Sequence, residues 1–162
     1  MKCHAYLSFD GNCEEALRFY EEALGAKMVN MMHFAGTPMA EHAPPDWHTK
    51  ILHACITIGE SMVMASDSMP GQYEKPAGTA MMPARATVAE SERIFAALSE
   101  GGTVTMPLAE TFWTSRFGAV TDRFGTPMDA ELRRSAGRVT AGGFNPARRR
   151  RRWWPCSTAS RA

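Results

Sequence analysis

The 162-residue chain lacks the features that would place it quickly. No apolar run approaches the roughly 20 residues that a membrane-spanning helix requires, so no membrane partner is expected. Its four cysteines, Cys3, Cys13, Cys55 and Cys156, form no CxxC pair and no framework spacing, and no basic-then-apolar leader precedes Cys3. A reduced, cytoplasmic setting is therefore expected. There is no glycine-rich phosphate loop, no HExxH among the five histidines and no Ser-His-Asp order, which leaves phosphoryl transfer, triad hydrolysis and thiol-redox exchange through a CxxC without support.

What is present divides unevenly. The net charge of +1 sums two unlike parts: residues 1–128 hold nine Lys/Arg against fifteen Asp/Glu, and the remainder holds nine Arg against only Asp129 and Glu131. The length suits one domain with a real core. That domain is expected over 1–128, with half-modules of about 1–68 and 78–128, followed by an Arg-rich tail at 129–162 of disordered type.

Patterning within 1–128 repeats. CHAYLSF at 3–9 predicts a strand, and DGN at 10–12 supplies turn and N-cap chemistry. Ala16, Phe19, Tyr20, Ala23 and Leu24 fall at helical spacing and stop at Gly25. Strands are predicted at 26–34, 50–58 and 61–66, the last two joined through Gly59-Glu60. Between the first two, AGTPMAEHAPPDWH is a long loop in which Pro44-Pro45 bars helix and central strand. After a Pro/Gly-rich linker at 69–78 the order returns. A strand is predicted at 79–88, interrupted by Pro83, then a helix through Ile94, Phe95 and Leu98, then strands at 103–108 and 112–122. Phe19 precedes Gly25, and Phe95 precedes Gly101, by the same interval. Two βαβββ units follow as the economical explanation, giving an α+β fold of paired curved sheets around a small-molecule cleft.

The segments FDGNCEEALRFYEEALG, MAEHAPPDW, KILHA, MASD, ERIFAALSEGGTVTMPLAETFW and DRFGTP, in this order and spacing, resemble the PhnB-like proteins of the vicinal oxygen chelate superfamily, which is similar to glyoxalase I and to bleomycin- and fosfomycin-resistance proteins. The resemblance implies the βαβββ pair, a homodimer and a small ligand between the sheets. It also implies, as the enzymatic alternative, a metal-dependent lyase, isomerase or dioxygenase acting on vicinal oxygens. Some relatives carry a ubiquinone methyltransferase label, but no methyl-donor-binding glycine loop is present.

Metalloenzymes of this superfamily bind a divalent ion through His, Glu or Gln on inner strands. Matching the helix FY pair puts their first ligand position on Ala5, with His4 one residue away. The others fall on Thr79, near Ser66 or Asp67, and on Asp129. A one-residue slip turns a strand side chain to the other face, so His4 and Asp129 are the only ligand candidates and the usual metal site is not expected. The ligand-lining candidates are Ala5, Leu7, Phe112, Trp113 and Phe117, the three aromatics offering stacking surfaces. Glu41 and His42 are the catalytic candidates, a carboxylate beside an imidazole that could act as general base; the alternative is that they merely hold the loop.

From Met128 the resemblance ends. The family finishes GTPWMxNCE, and ATG GAT GCN GAA CTG for MDAEL, read one base later, gives TGG ATG CNG AAC TGC, or W-M-x-N-C. A one-base shift in the gene or its recorded sequence would account for the tail. The alternative is that RRRRRWW attracts polyanions; no specific nucleic-acid partner is expected.

Overall fold

In the computed structural model, residues 2–85 and 87–132 are described. The elements run β1 (Ala5–Phe9), α1 (Cys13–Leu24), β2 (Lys27–His33), β3 (Ile51–Ile58), β4 (Ser61–Asp67), β5 (Ala84–Arg85), α2 (Val88–Ser99), β6 (Thr103–Ala109), β7 (Phe117–Thr121) and β8 (Pro127–Leu132). They build two four-stranded sheets of matching order, β1-β4-β3-β2 and β5-β8-β7-β6. In each, the first strand runs parallel to the last and the other pairs are antiparallel. The repeated βαβββ plan read from the sequence is thus the observed one.

Several boundaries differ for physical reasons. The expected strand at 79–88 contracts to Ala84–Arg85 plus an isolated bridge from Met81 to Met128, because Pro83 has no N–H for a ladder. The second helix begins at Val88. There Thr87 caps it, its hydroxyl oxygen accepting the Glu90 amide at 3.2 Å while also donating to the Glu90 carboxylate at 2.9 Å. The predicted strand at 112–122 begins only at Phe117. In the long loop, prolines at first-turn positions start two 3-10 turns, Pro38–His42 and Pro45–Trp47.

Asn12 precedes α1 but makes no side-chain cap bond. That role falls to Asp67, at the far end of β4, which accepts the amides of Cys13 and Ile51, each at 2.8 Å. One buried carboxylate therefore ties the start of α1 to the start of β3.

The helices share one side of the molecule. α1 packs on α2, and a single core joins Phe9, Leu17, Tyr20, Ile51, Ile56 and Val63 of the first module to Ile94, Leu98, Val120, Phe124 and Met128 of the second. Tyr20 crosses the junction, donating its hydroxyl to Asp122 at 2.7 Å. The start of β1 and residues 80–83, which lead into β5, border one groove of about 940 Å³ together with the β3–β4 hairpin. The opening ends of the two sheets thus border one groove, and the two helices pack on each other.

β8 extends to Leu132 and takes in residues 129–132, which the sequence assigns to the tail. Met128, Ala130 and Leu132 are buried and alternate with half-buried Asp129 and Glu131. The RRRRRWW segment lies outside the described residues.

Candidate functional site

Strand alternation separates each sheet into a helix-packed and a helix-free face. In the first sheet Phe9, Ala54, Ile56, Val63 and Ala65 are buried against the helix side. By register the opposite face carries Tyr6 and Ser8 of β1, Met62, Met64 and Ser66 of β4, His53, Cys55 and Thr57 of β3, and Asn30 and Met32 of β2. In the second sheet Gly118, Val120, Met128, Ala130 and Leu132 are buried. Phe117, Ala119 and Thr121 then share the free face with Asp129 and Glu131, with Met106 opposite Ala119.

This geometry redistributes the candidate residues. Leu7 pairs with the wholly buried Ala65 and packs against the core, so it points away from the free face. Ala5 shares that orientation and borders the edge groove instead. The sequence placed both on the cleft side, one residue out of phase with Tyr6 and Ser8. Phe112 and Trp113 are not on a strand: they stand in the β6–β7 loop, where Phe112 is 93% exposed. Trp113 nevertheless packs edge-on to Phe117 with ring centroids 5.6 Å apart, and Phe112 packs on Trp113 at 4.6 Å. Phe117 itself, in β7, faces the free side.

Glu41 and His42 are both exposed at the first 3-10 turn. The loop around them is fastened by other residues. His48 Nε2 lies 3.0 Å from the Ala40 carbonyl oxygen, and Trp47 Nε1 donates to the Ser68 carbonyl at 3.1 Å. Lys50 Nζ donates to the Gly11 carbonyl at 2.6 Å.

Electrostatics single out Asp129. Burial pushes its carboxyl above the ordinary carboxylate range, without a compensating charge. Burial likewise raises Asp67 and Asp122 against the opposing pull of their hydrogen-bond donors. Those two hold backbone, whereas Asp129 faces the open side.

A divalent metal does not fit the facing positions of the two inner strand pairs. They supply Tyr6, Ser8, Met64 and Ser66 in the first sheet, and Asp129 and Glu131, adjacent on one strand, in the second. Thioethers and hydroxyls are not the His and carboxylate set that such an ion requires. Among the described residues no group of three His, Cys, Asp or Glu is placed to hold an ion; His4 precedes β1, outside both sheets, whereas Asp129 is in β8.

Residues 2–128 match the family model of the Glyoxalase/Bleomycin resistance protein/Dioxygenase superfamily. The chain belongs to this superfamily. Among curated relatives, Protein YjdN of Escherichia coli strain K12 is 37% identical over an alignment of 137 residues that covers 78% of this chain and 92% of that protein. Protein PA1353 from Pseudomonas aeruginosa, known from a crystal structure, is 40% identical, with a TM-score of 0.75 over 83% of this chain and 99% of that one. A Bacillus cereus PhnB protein, described as a putative 3-demethylubiquinone-9 3-methyltransferase, shares the fold at 21% identity, with a TM-score of 0.71 over 82% and 100% of the two chains. The superfamily match ends at 128, where the sequence resemblance also stops, while β8 continues to Leu132.

Sequence reasoning missed Tyr6, His53 and Cys55. The signal was available, since alternation from the buried Phe9 puts Tyr6, not Leu7, on the open face.

Proposed function

We propose that this superfamily member binds a planar, cationic small molecule on the helix-free side of its two sheets, and that it does so as a homodimer whose second copy covers part of that side. The observation carrying this reading is the pairing of the Trp113–Phe117 aromatic step with Asp129 and Glu131 on the neighbouring strand. Rings attract a flat ligand through stacking and cation–π contact, and carboxylates select positive charge. Tyr6 and Met32, 53% and 44% exposed, extend apolar surface across the first sheet. Large apolar groups left open on a sheet face favour covering by a ligand or a partner.

The test is a titration with thioflavin T, a planar cation whose fluorescence rises when it is immobilised. Saturable binding that is lost in a Trp113→Ala/Phe117→Ala variant, and weakened at least fivefold by Asp129→Asn/Glu131→Gln, supports the reading. Unchanged binding in both variants refutes it. Sedimentation equilibrium addresses the homodimer, and a monomer at micromolar concentration removes that part of the proposal.

A further inference from the structure

The first sheet carries a group of side chains that the aromatic and acidic step of the second does not use. Cys55 and His53 are two apart on β3 and therefore share its free face, with Cys55 Sγ 3.4 Å from His53 Nε2. The other ring nitrogen, Nδ1, lies 3.5 Å from the Tyr6 hydroxyl, and the two rings are 6.0 Å apart and tilted. With the proton on Nδ1, the phenol oxygen accepts from it and Nε2 is left to accept from the thiol. A sulfur nucleophile, a base and an oriented second side of that base are the three parts of an activated thiol.

Its surroundings suit a particular reactant. Met64 of β4 and Asn30 of β2 stand directly opposite Cys55 in register, and Met32 stands opposite His53. The titratable groups sharing this face are Tyr6 from β1, Lys27 from β2 and His53 from β3, with His4 directly preceding β1; β4 contributes Met62, Met64 and Ser66. No carboxylate stands among these positions to oppose a thiolate. Thioether neighbours suit a soft apolar carbon skeleton, and the Asn30 amide brings donors for an oxygen. We propose that Cys55 is a reactive thiol that captures small α,β-unsaturated carbonyl compounds covalently, with His53 as its base.

The step conserves every atom. His53 Nε2 takes the thiol proton, and a sulfur electron pair bonds the β-carbon. The π pair moves toward the α-carbon and the carbonyl oxygen, which can accept from the Asn30 amide. The proton on His53 then passes to the α-carbon, leaving a thioether adduct and a neutral imidazole. No oxidant or leaving group is involved.

N-ethylmaleimide, a cyclic compound of this class, is the probe, and adducts on the full chain are located by peptide mass spectrometry. An unassisted thiol is largely protonated at pH 6.5 and its rate climbs about tenfold per pH unit. Cys55 should label at least tenfold faster at pH 6.5 than the exposed Cys3. His53→Gln should slow Cys55 about tenfold and leave Cys3 unchanged. The wild-type comparison of Cys55 with Cys3 requires no variant to fold, so it decides the matter if His53→Gln is unstable. Labelling at Cys55 no faster than at Cys3 overturns the assignment. Because labelling needs no resident ligand, a failed dye titration leaves this result standing, and the converse also holds.

Discussion

Removing one oxygen atom should reveal how firmly the two modules are joined. Tyr20 is wholly buried, its hydroxyl 2.7 Å from Asp122 Oδ2 and 3.0 Å from the Thr126 hydroxyl. Tyr20→Phe keeps the ring and its packing on Phe19 and Phe124, 5.8 and 6.4 Å away between centroids. What disappears is the donor to Oδ2. Asp122 Oδ1 keeps the amides of Phe124 and Thr126, each at 2.9 Å, so the carboxylate stays half satisfied. A hydrogen bond to a charged acceptor contributes roughly 1.5–3 kcal/mol, and a buried acceptor left without its donor puts the cost toward the upper part of that range. We expect a loss of about 2 kcal/mol, or roughly 6 °C in the unfolding midpoint of a domain this size. The assay is urea unfolding of the wild type, Tyr20→Phe, Asp122→Asn and the double variant. Most of the Tyr20→Phe cost should reappear as coupling energy in that cycle. A loss below about 0.5 kcal/mol, or additive single effects, would refute the claim that this bond couples the modules.

Three further outcomes follow from the same geometry. Asp67→Ala leaves the Cys13 and Ile51 amides without their acceptor and should cost about 3 kcal/mol in urea unfolding, with hydrogen exchange accelerated first at the start of α1. Gly118→Ala should cost roughly 1–3 kcal/mol in the same assay, because its Cβ would stand 2.8 Å from the Phe95 ring and 2.9 Å from the Leu108 backbone. The raised pKa of Asp129 means that the folded state holds this proton more tightly than the unfolded chain. Its stabilising contribution is complete below the ordinary value of 3.8 and is lost as pH rises through the raised native value. Unfolding free energies measured across that interval should therefore fall less with rising pH in Asp129→Asn than in the wild type, and identical slopes would count against it.

The elements most legible in the sequence were those whose signal is local and periodic. α1 shows its buried stripe from Ala16 to Leu24 and its left-handed stop at Gly25 without reference to the rest of the chain. α2 is legible from its apolar stripe Ile94, Phe95 and Leu98, and its start also carries a local signal, the capping-box spacing of Thr87 and Glu90. Other features depend on distant residues. That Asp67 caps α1 from 54 positions away could not be read from Asp10, Gly11 and Asn12, which suggested a local cap. The candidate site suffered most from phase. Counting from a motif put Ala5 and Leu7 inward, whereas counting from the buried Phe9 puts Tyr6 and Ser8 there, and with a period of two nothing lies between right and reversed. Trp113 was placed on the wrong element yet belongs to the aromatic step, because its contact with Phe117 comes from a loop folding back.

The last strand makes a demand on pattern more than on identity. β8 must bury one side beneath α2 and leave the other open, a requirement on alternation more than on identity. Met128, Ala130 and Leu132 meet it on the buried side, whatever the reading frame that produced them. The open side carries no such constraint, and there Asp129 and Glu131 put two carboxylates beside Phe117, where the family pattern WMxNC places none. If a frame change wrote this segment, it preserved the sheet and altered the charge of the surface that a ligand would meet. Restoring WMxNC should then cost roughly 1–3 kcal/mol in urea unfolding, because Met128→Trp enlarges a wholly buried side chain, while abolishing the preference for cationic over neutral planar dyes. A restored chain that retains that preference would show that the acidic pair does not set it.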